Sequence, residues 1–137
     1  MSEGSFSRRL RNKLAPKLVV WERIENSVGE GTPDVYGESE RGAFWCELKH
    51  LHDYPARPTT AIRFKRYTKE QADKIEMLGE SGKVGSWILI QVAGDHWLFH
   101  WSKAHELQKL QPLTWWEENA YCVWKGRLDY NELAKVL

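Results

Sequence analysis

One segment constrains the fold more than any other: Ala43 to Lys49, an apolar run carrying a glutamate and a lysine two residues apart. Its aromatic and apolar content predicts a strand. Side chains alternate across a strand with a period of two. Trp45, Glu47 and Lys49 therefore share one face, while Phe44, Cys46 and Leu48 point into the opposite layer. A carboxylate and an ammonium on the inner part of such a strand are costly unless they are paired or used. An exposed Glu-Lys pair on an edge strand is the plainer account of the same residues, and the neighbouring chain weighs between the two.

Upstream, Ser27 to Thr32 holds small polar residues and two glycines and reads as a turn. Pro33 leads into Asp34 to Tyr36, a short extended piece, followed by a turn from Gly37 to Gly42. A hairpin-like return across Gly37 and Gly42 brings the Asp34 carboxylate beside Glu47. Two carboxylates so placed suit Mg²⁺ (or Mn²⁺), a hard cation that takes oxygen ligands and keeps several waters. The backbone carbonyl of Leu48 can add a further oxygen. A bound metal orients and acidifies water and neutralises charge on a phosphate. Lys49, on the same face, can hold the attacking water or stabilise charge growing on phosphoryl oxygens. These are the parts that phosphodiester hydrolysis requires.

The rest of the chain supplies a scaffold. Ser5 to Leu14 predicts a short basic helix, with Phe6, Leu10 and Leu14 at four-residue spacing, ended by Pro16. Leu18 to Ile24 predicts a strand. Asp53 to Thr60, with Pro55 and Pro58, predicts an exposed loop. Thr68 to Gly79 predicts a helix with Thr68 as N-cap, an apolar stripe of Ala72, Ile75 and Leu78, and termination at Gly79 or Gly82. Ser86 to Ala93 predicts an apolar strand. Gly94-Asp95 predicts a hairpin turn into a strand from His96 to Trp101. Short helices follow over Lys103 to Lys109 and Asp129 to Val136, and residues 111–126 remain ambiguous. Helix, three strands, helix and two strands predict an α/β fold, a central mixed β-sheet flanked by helices. A length of 137 residues fits one domain over 1–137, and eight Trp help fill its core.

A net charge of +1 names no partner. Its distribution says more: Arg8, Arg9, Arg11, Lys13 and Lys17 form one basic stretch, and Arg57, Arg63, Lys65, Arg66, Lys69 and Lys74 a second. Both read either as solvated surface or as patches able to hold phosphates. Two cysteines are too few for a disulfide framework or a thiolate zinc site. No apolar run reaches membrane-spanning length and no signal peptide is evident, so the expected setting is cytoplasmic.

Gly31-Thr32-Pro33-Asp34-Val35 followed by Trp45-Cys46-Glu47-Leu48-Lys49 resembles the PD-(D/E)XK nuclease superfamily. Within it, the chain resembles the small VRR-NUC-like and Holliday-junction-resolvase-like nucleases, particularly stand-alone versions carried by bacteriophages. The resemblance takes in Arg23-Ile24-Glu25-Asn26 upstream and Thr68-Lys69-Glu70-Gln71 downstream, and covers roughly residues 18 to 101. It implies a restriction-endonuclease-like αβββαβ core, with Asp34 and Glu47 binding the metal and Lys49 assisting catalysis. It also implies that Gln71, on the helix after the catalytic strand, lines the site. Related nucleases often add an acid from an N-terminal helix, and the first helix here offers none beyond Glu3. Glu22 and Glu25 are the substitutes, with Glu25 preferred for its place beside the loop to Asp34. If the gene is phage-borne, the cytoplasm is that of a bacterial host.

The expected activity is thus that of a Mg²⁺- or Mn²⁺-dependent DNA endonuclease, with branched DNA or Holliday junctions as the candidate structure-specific substrate. Arg63, Lys65, Arg66 and Lys69 are expected to meet DNA, because their segment joins the Glu47 strand to the Gln71 helix. Resolving a four-way junction takes two symmetric cuts, which predicts a homodimer; the Trp-rich segment Leu113 to Trp124 offers a surface for one. A catalytically inactive nucleic-acid-binding module on the same fold is the alternative, and an interaction protein using its Trp residues a third. His96 and His100 alternate with Trp97, Phe99 and Trp101 and read as an outer strand face. Loop residues His50 and His52 read as surface groups.

Overall fold

The computed structural model describes residues 3–24 and 30–137. Along them run α1 (Glu3–Lys13), β1 (Val20–Arg23), β2 (Val35–Ser39), β3 (Gly42–Leu51), α2 (Lys69–Glu80), β4 (Gly85–Val92), β5 (Asp95–His100), α3 (Ala104–Gln108), α4 (Leu113–Asn119), β6 (Cys122–Trp124) and α5 (Tyr130–Val136). The six strands form one sheet in sequence order. Only β3 and β4 are parallel. A parallel pair needs a long crossover, and residues 52–84, which include α2, provide it. The remaining neighbours are antiparallel. The result is an α/β fold on a mixed sheet.

Alternation along the strands sorts the core into two layers. Phe44, Cys46 and Leu48 of β3, with Trp87 and Leu89 of β4, face α1 and α5; Phe6, Leu10, Leu14 and Leu133 close that layer. Ile88, Ile90 and Val92 of β4, with Trp97 and Phe99 of β5, face α2, α3 and α4; Ala72, Ile75, Leu107 and Trp116 close the second. A sheet covered on both faces buries nearly every residue of its central strands, and β4 is buried from Ser86 to Val92. Burying each large apolar side chain contributes about 1.5–3 kcal/mol before entropy is counted. Cys46 and Cys122 are free thiols.

Several local expectations are corrected. Gly37 does not begin the turn, which is confined to Glu40 and Arg41, ahead of Gly42 at φ +114. Instead Gly37 lies inside β2, paired with Phe44. A Cβ there would sit 2.2 Å from the Phe44 ring, so glycine is what lets that ring lie across the strand. The β4–β5 turn is Ala93-Gly94, with Asp95 already in β5. Gly79 does not end α2: it lies within the helix, where its missing side chain makes room for Trp101. His96 is 3% exposed, so its face of β5 is not an outer face. Helix α1 covers that face and sets Phe6 against the imidazole. The ambiguous residues 111–126 contain α4 and β6. Trp116 is fully buried, Trp124 nearly so, and Trp115 stacks on Phe99. The Trp residues of this segment serve the core, and its exposed large hydrophobics are Tyr121 and Val123. No helix among the described residues is long and apolar enough to cross a membrane.

Candidate functional site

Strand pairing places the carboxylates. The β2–β3 ladder ends at Val35 opposite Cys46. One residue earlier, Asp34 takes over the free edge of β3 with its side chain: Leu48 N–H donates to Asp34 Oδ2 at 2.9 Å. On its other side the Asp34 carbonyl accepts from Ile24 N–H at 2.8 Å, which ties the residue to the end of β1. The preceding loop is held equally closely. Gly31 has φ +80, and a Cβ there would lie 2.5 Å from the Glu70 carbonyl oxygen. Only a glycine lets this loop press against the first turn of α2.

Glu47 is 1% exposed. Its Oε2 meets Lys49 Nζ at 3.1 Å. Its Oε1 is buried with no hydrogen-bond partner. Burial, and then the nearby Asp34 charge, push the Glu47 pKa up to about 8, against the opposing pull of Lys49. A carboxylate held this way is set to bind a proton or a cation.

Lys49 is also buried. Its Nζ donates to the Arg66 carbonyl and, at 3.0 Å, to Gln71 Oε1, and it lies 5.3 Å from the Tyr67 ring centroid. Gln71 serves twice. It completes a capping box, in which its N–H donates to Thr68 Oγ1 and its Oε1 accepts from Thr68 N–H. The same Oε1 orients Lys49. The helix cap therefore fixes α2 and the lysine together.

Asp34, Glu47, Lys49 and Gln71 are thus brought to one place. The N–H and C=O of one strand residue leave on the same edge, so the Leu48 carbonyl lies on the Asp34 side with its N–H. Oxygens of Asp34, Glu47 and Leu48 form a hard donor set. Among the described residues no cluster of three His, Cys, Asp or Glu could hold a metal. Mg²⁺, however, is commonly held by one or two carboxylates plus waters and substrate phosphates, and the orphaned Glu47 Oε1 is a donor that such an ion would satisfy.

Glu25 lies outside the described residues. Glu22, the other candidate acid, is exposed on β1 opposite Tyr36. The basic residues divide. Arg63, Lys65 and Arg66 are exposed on the segment before α2. Arg66 borders the site through its carbonyl, while Lys69 turns to Asp73 at 3.0 Å. Two neighbours were not read from sequence. Tyr67 is 8% exposed; its hydroxyl donates to the Ala104 carbonyl at 2.8 Å, and burial pushes its pKa up. Its position just before the cap Thr68, where an apolar residue often anchors a helix start, was the available signal. Arg23, 3.8 Å from Asp34 Oδ1, lies in the Arg23-Ile24-Glu25-Asn26 segment of the resemblance, where no role was expected of it.

Compared with protein-family models and with curated protein sequences, the chain matches none.

Proposed function

We propose that the chain is a divalent-metal-dependent DNA endonuclease on a restriction-endonuclease-like αβββαβ core. The observation that carries this reading is the half-buried Asp34 set beside the buried Glu47 and Lys49, with one Glu47 oxygen left unpartnered. Asp34, Glu47 and the Leu48 carbonyl would hold Mg²⁺ or Mn²⁺, which when bound supplies Lewis acidity toward a phosphate and acidifies water. Lys49 Nζ has three donors. Two are committed to the Arg66 carbonyl and Gln71 Oε1; the third, on Glu47 Oε2, is the one a phosphoryl oxygen can take. Fixed in advance, that donor stabilises developing charge without reorganising during the reaction. Arg63, Lys65 and Arg66 precede the helix that carries Gln71, and they supply phosphate contacts at the mouth of the site.

The preferred substrate in this reading is branched DNA, cut by a homodimer whose two-fold axis relates two such sites. The deciding experiment incubates labelled linear, flapped and four-way DNA with Mg²⁺, Mn²⁺ or EDTA. Metal-dependent cutting with paired nicks across the four-way junction is expected. Binding without cutting in either metal would instead favour a non-catalytic DNA-binding module. Sedimentation at micromolar concentration reports the dimer, and a monomer cutting linear duplex as fast as a junction would leave a general endonuclease.

A further inference from the structure

The sheet face covered by α1 and α5, away from Glu47 and Lys49, holds a pocket of about 730 Å³. Three stretches of chain meet there: α1 with the turn after it, the β4–β5 hairpin, and the connection from β6 to α5. They bring in Arg9, Lys13, Lys17 and Arg127 against a single carboxylate, Asp129, a formal balance of four minus one. None of the four cations is ion-paired among the described residues. Asp129 is already used, its Oδ1 accepting from Glu132 N–H at 3.0 Å to cap α5. Gathering like charges around a concavity costs stability and focuses a positive potential into it.

His96, at 3% exposure, lines the same pocket, and neither of its ring nitrogens has a hydrogen-bond partner. Burial, and then Arg9, push its pKa down to about 4. At neutral pH the ring is uncharged, with one N–H to give and one nitrogen to accept. Native proteins rarely leave buried polar groups unmet. Packed beside Phe6, the ring contributes nothing polar to the core around it.

We propose that this pocket binds a phosphate ester carried on a hydroxyl-bearing group of nucleoside size. The phosphate would sit among Arg9, Lys13, Lys17 and Arg127, and the polar remainder would hydrogen-bond His96. Inorganic phosphate alone would satisfy the cations yet leave His96 and much of the volume unserved; a small-molecule site is typically about 300–1,000 Å³. The site is independent of the Asp34–Glu47 chemistry.

Calorimetric titrations in EDTA, run on Glu47→Gln protein, keep the other site silent. The probes are adenosine 5′-monophosphate, a 5′-phosphorylated trinucleotide, inorganic phosphate and adenosine, with His96 imidazole signals followed by NMR. At least one of the two phosphate esters should bind about tenfold tighter than inorganic phosphate, the worth of one well-made hydrogen bond, and should shift the His96 signals. Which of the two binds tighter tells whether the ligand is a free nucleotide or a strand end. Adenosine should not bind measurably. Arg9→Ala with Arg127→Ala should weaken ester binding tenfold or more. His96→Gln, checked for an unchanged melting transition, should remove the ester's advantage over inorganic phosphate. Equal affinities for ester and phosphate, or no response of His96 to either ester, would overturn the proposal.

Discussion

Glu47 should make the metal-free protein less stable as pH rises, and Glu47→Gln should remove the effect. Its carboxyl ionises near pH 4.5 in the unfolded chain and near 8 in the fold. Folding therefore favours the protonated form. The stability this group contributes is complete below about pH 4.5 and drains away as pH rises through 8, at up to about 1.4 kcal/mol per pH unit. From pH 5 to 7.5 the loss is about 3 kcal/mol, and an error of one unit in the folded pKa alters it by less than half. Lys49 is already counted in that value, because its attraction is one of the opposing causes. A glutamine keeps the acceptor for Lys49 and cannot ionise. Urea denaturation in EDTA at several pH values, wild type beside variant, reports Glu47 together with its coupling to Asp34 and Lys49, since groups remote from the site are common to both proteins. The two proteins should converge near pH 5, with the variant about 3 kcal/mol more stable near pH 7.5; for 137 residues that is a rise of about 10 °C in Tm. Added Mg²⁺ should stabilise the wild type and not the variant. If the gap stays constant within about 0.5 kcal/mol across that range, Glu47 is not ionising in the fold as argued.

Further outcomes follow from the same geometry. Asp34→Ala and Glu47→Ala should each abolish metal-dependent cleavage while retaining DNA binding; full activity of either in Mg²⁺ would refute the site. Lys49→Ala should slow single-turnover cleavage by about a hundredfold or more with little change in metal affinity, and a loss under about threefold would remove it from the catalytic set. Replacing Arg63, Lys65 and Arg66 together by Ala should reduce the slope of log affinity against log salt by about three, whereas an unchanged slope places DNA elsewhere. Gly31→Ala should destabilise the fold by more than about 1 kcal/mol, through its positive φ and its approach to the Glu70 carbonyl, and should depress cleavage by moving Asp34. A variant matching the wild type in both urea midpoint and rate would show that the loop tolerates the shift.

Local chemistry by itself determined much of this protein. The period-two alternation of Ala43 to Lys49 placed Glu47 and Lys49 on one face and Phe44, Cys46 and Leu48 on the other. Four-residue spacing marked Phe6, Leu10 and Leu14 as one buried stripe, and Thr68 and Asp129 were already recognisable at helix starts. Such features are legible because each depends on residues within a turn or two of one another. Long-range packing decided the rest. Gly37 reads as a turn former until Phe44 is laid across it, and His96 reads as a surface residue until α1 covers the second face of the sheet. The Arg66 carbonyl and Tyr67 meet Lys49 only because the crossover returns α2 to β3. Residues 9, 96 and 127 share a pocket for the same reason: which distant segments become neighbours is settled by how the helices bury their apolar stripes on the sheet, and no local periodicity encodes it.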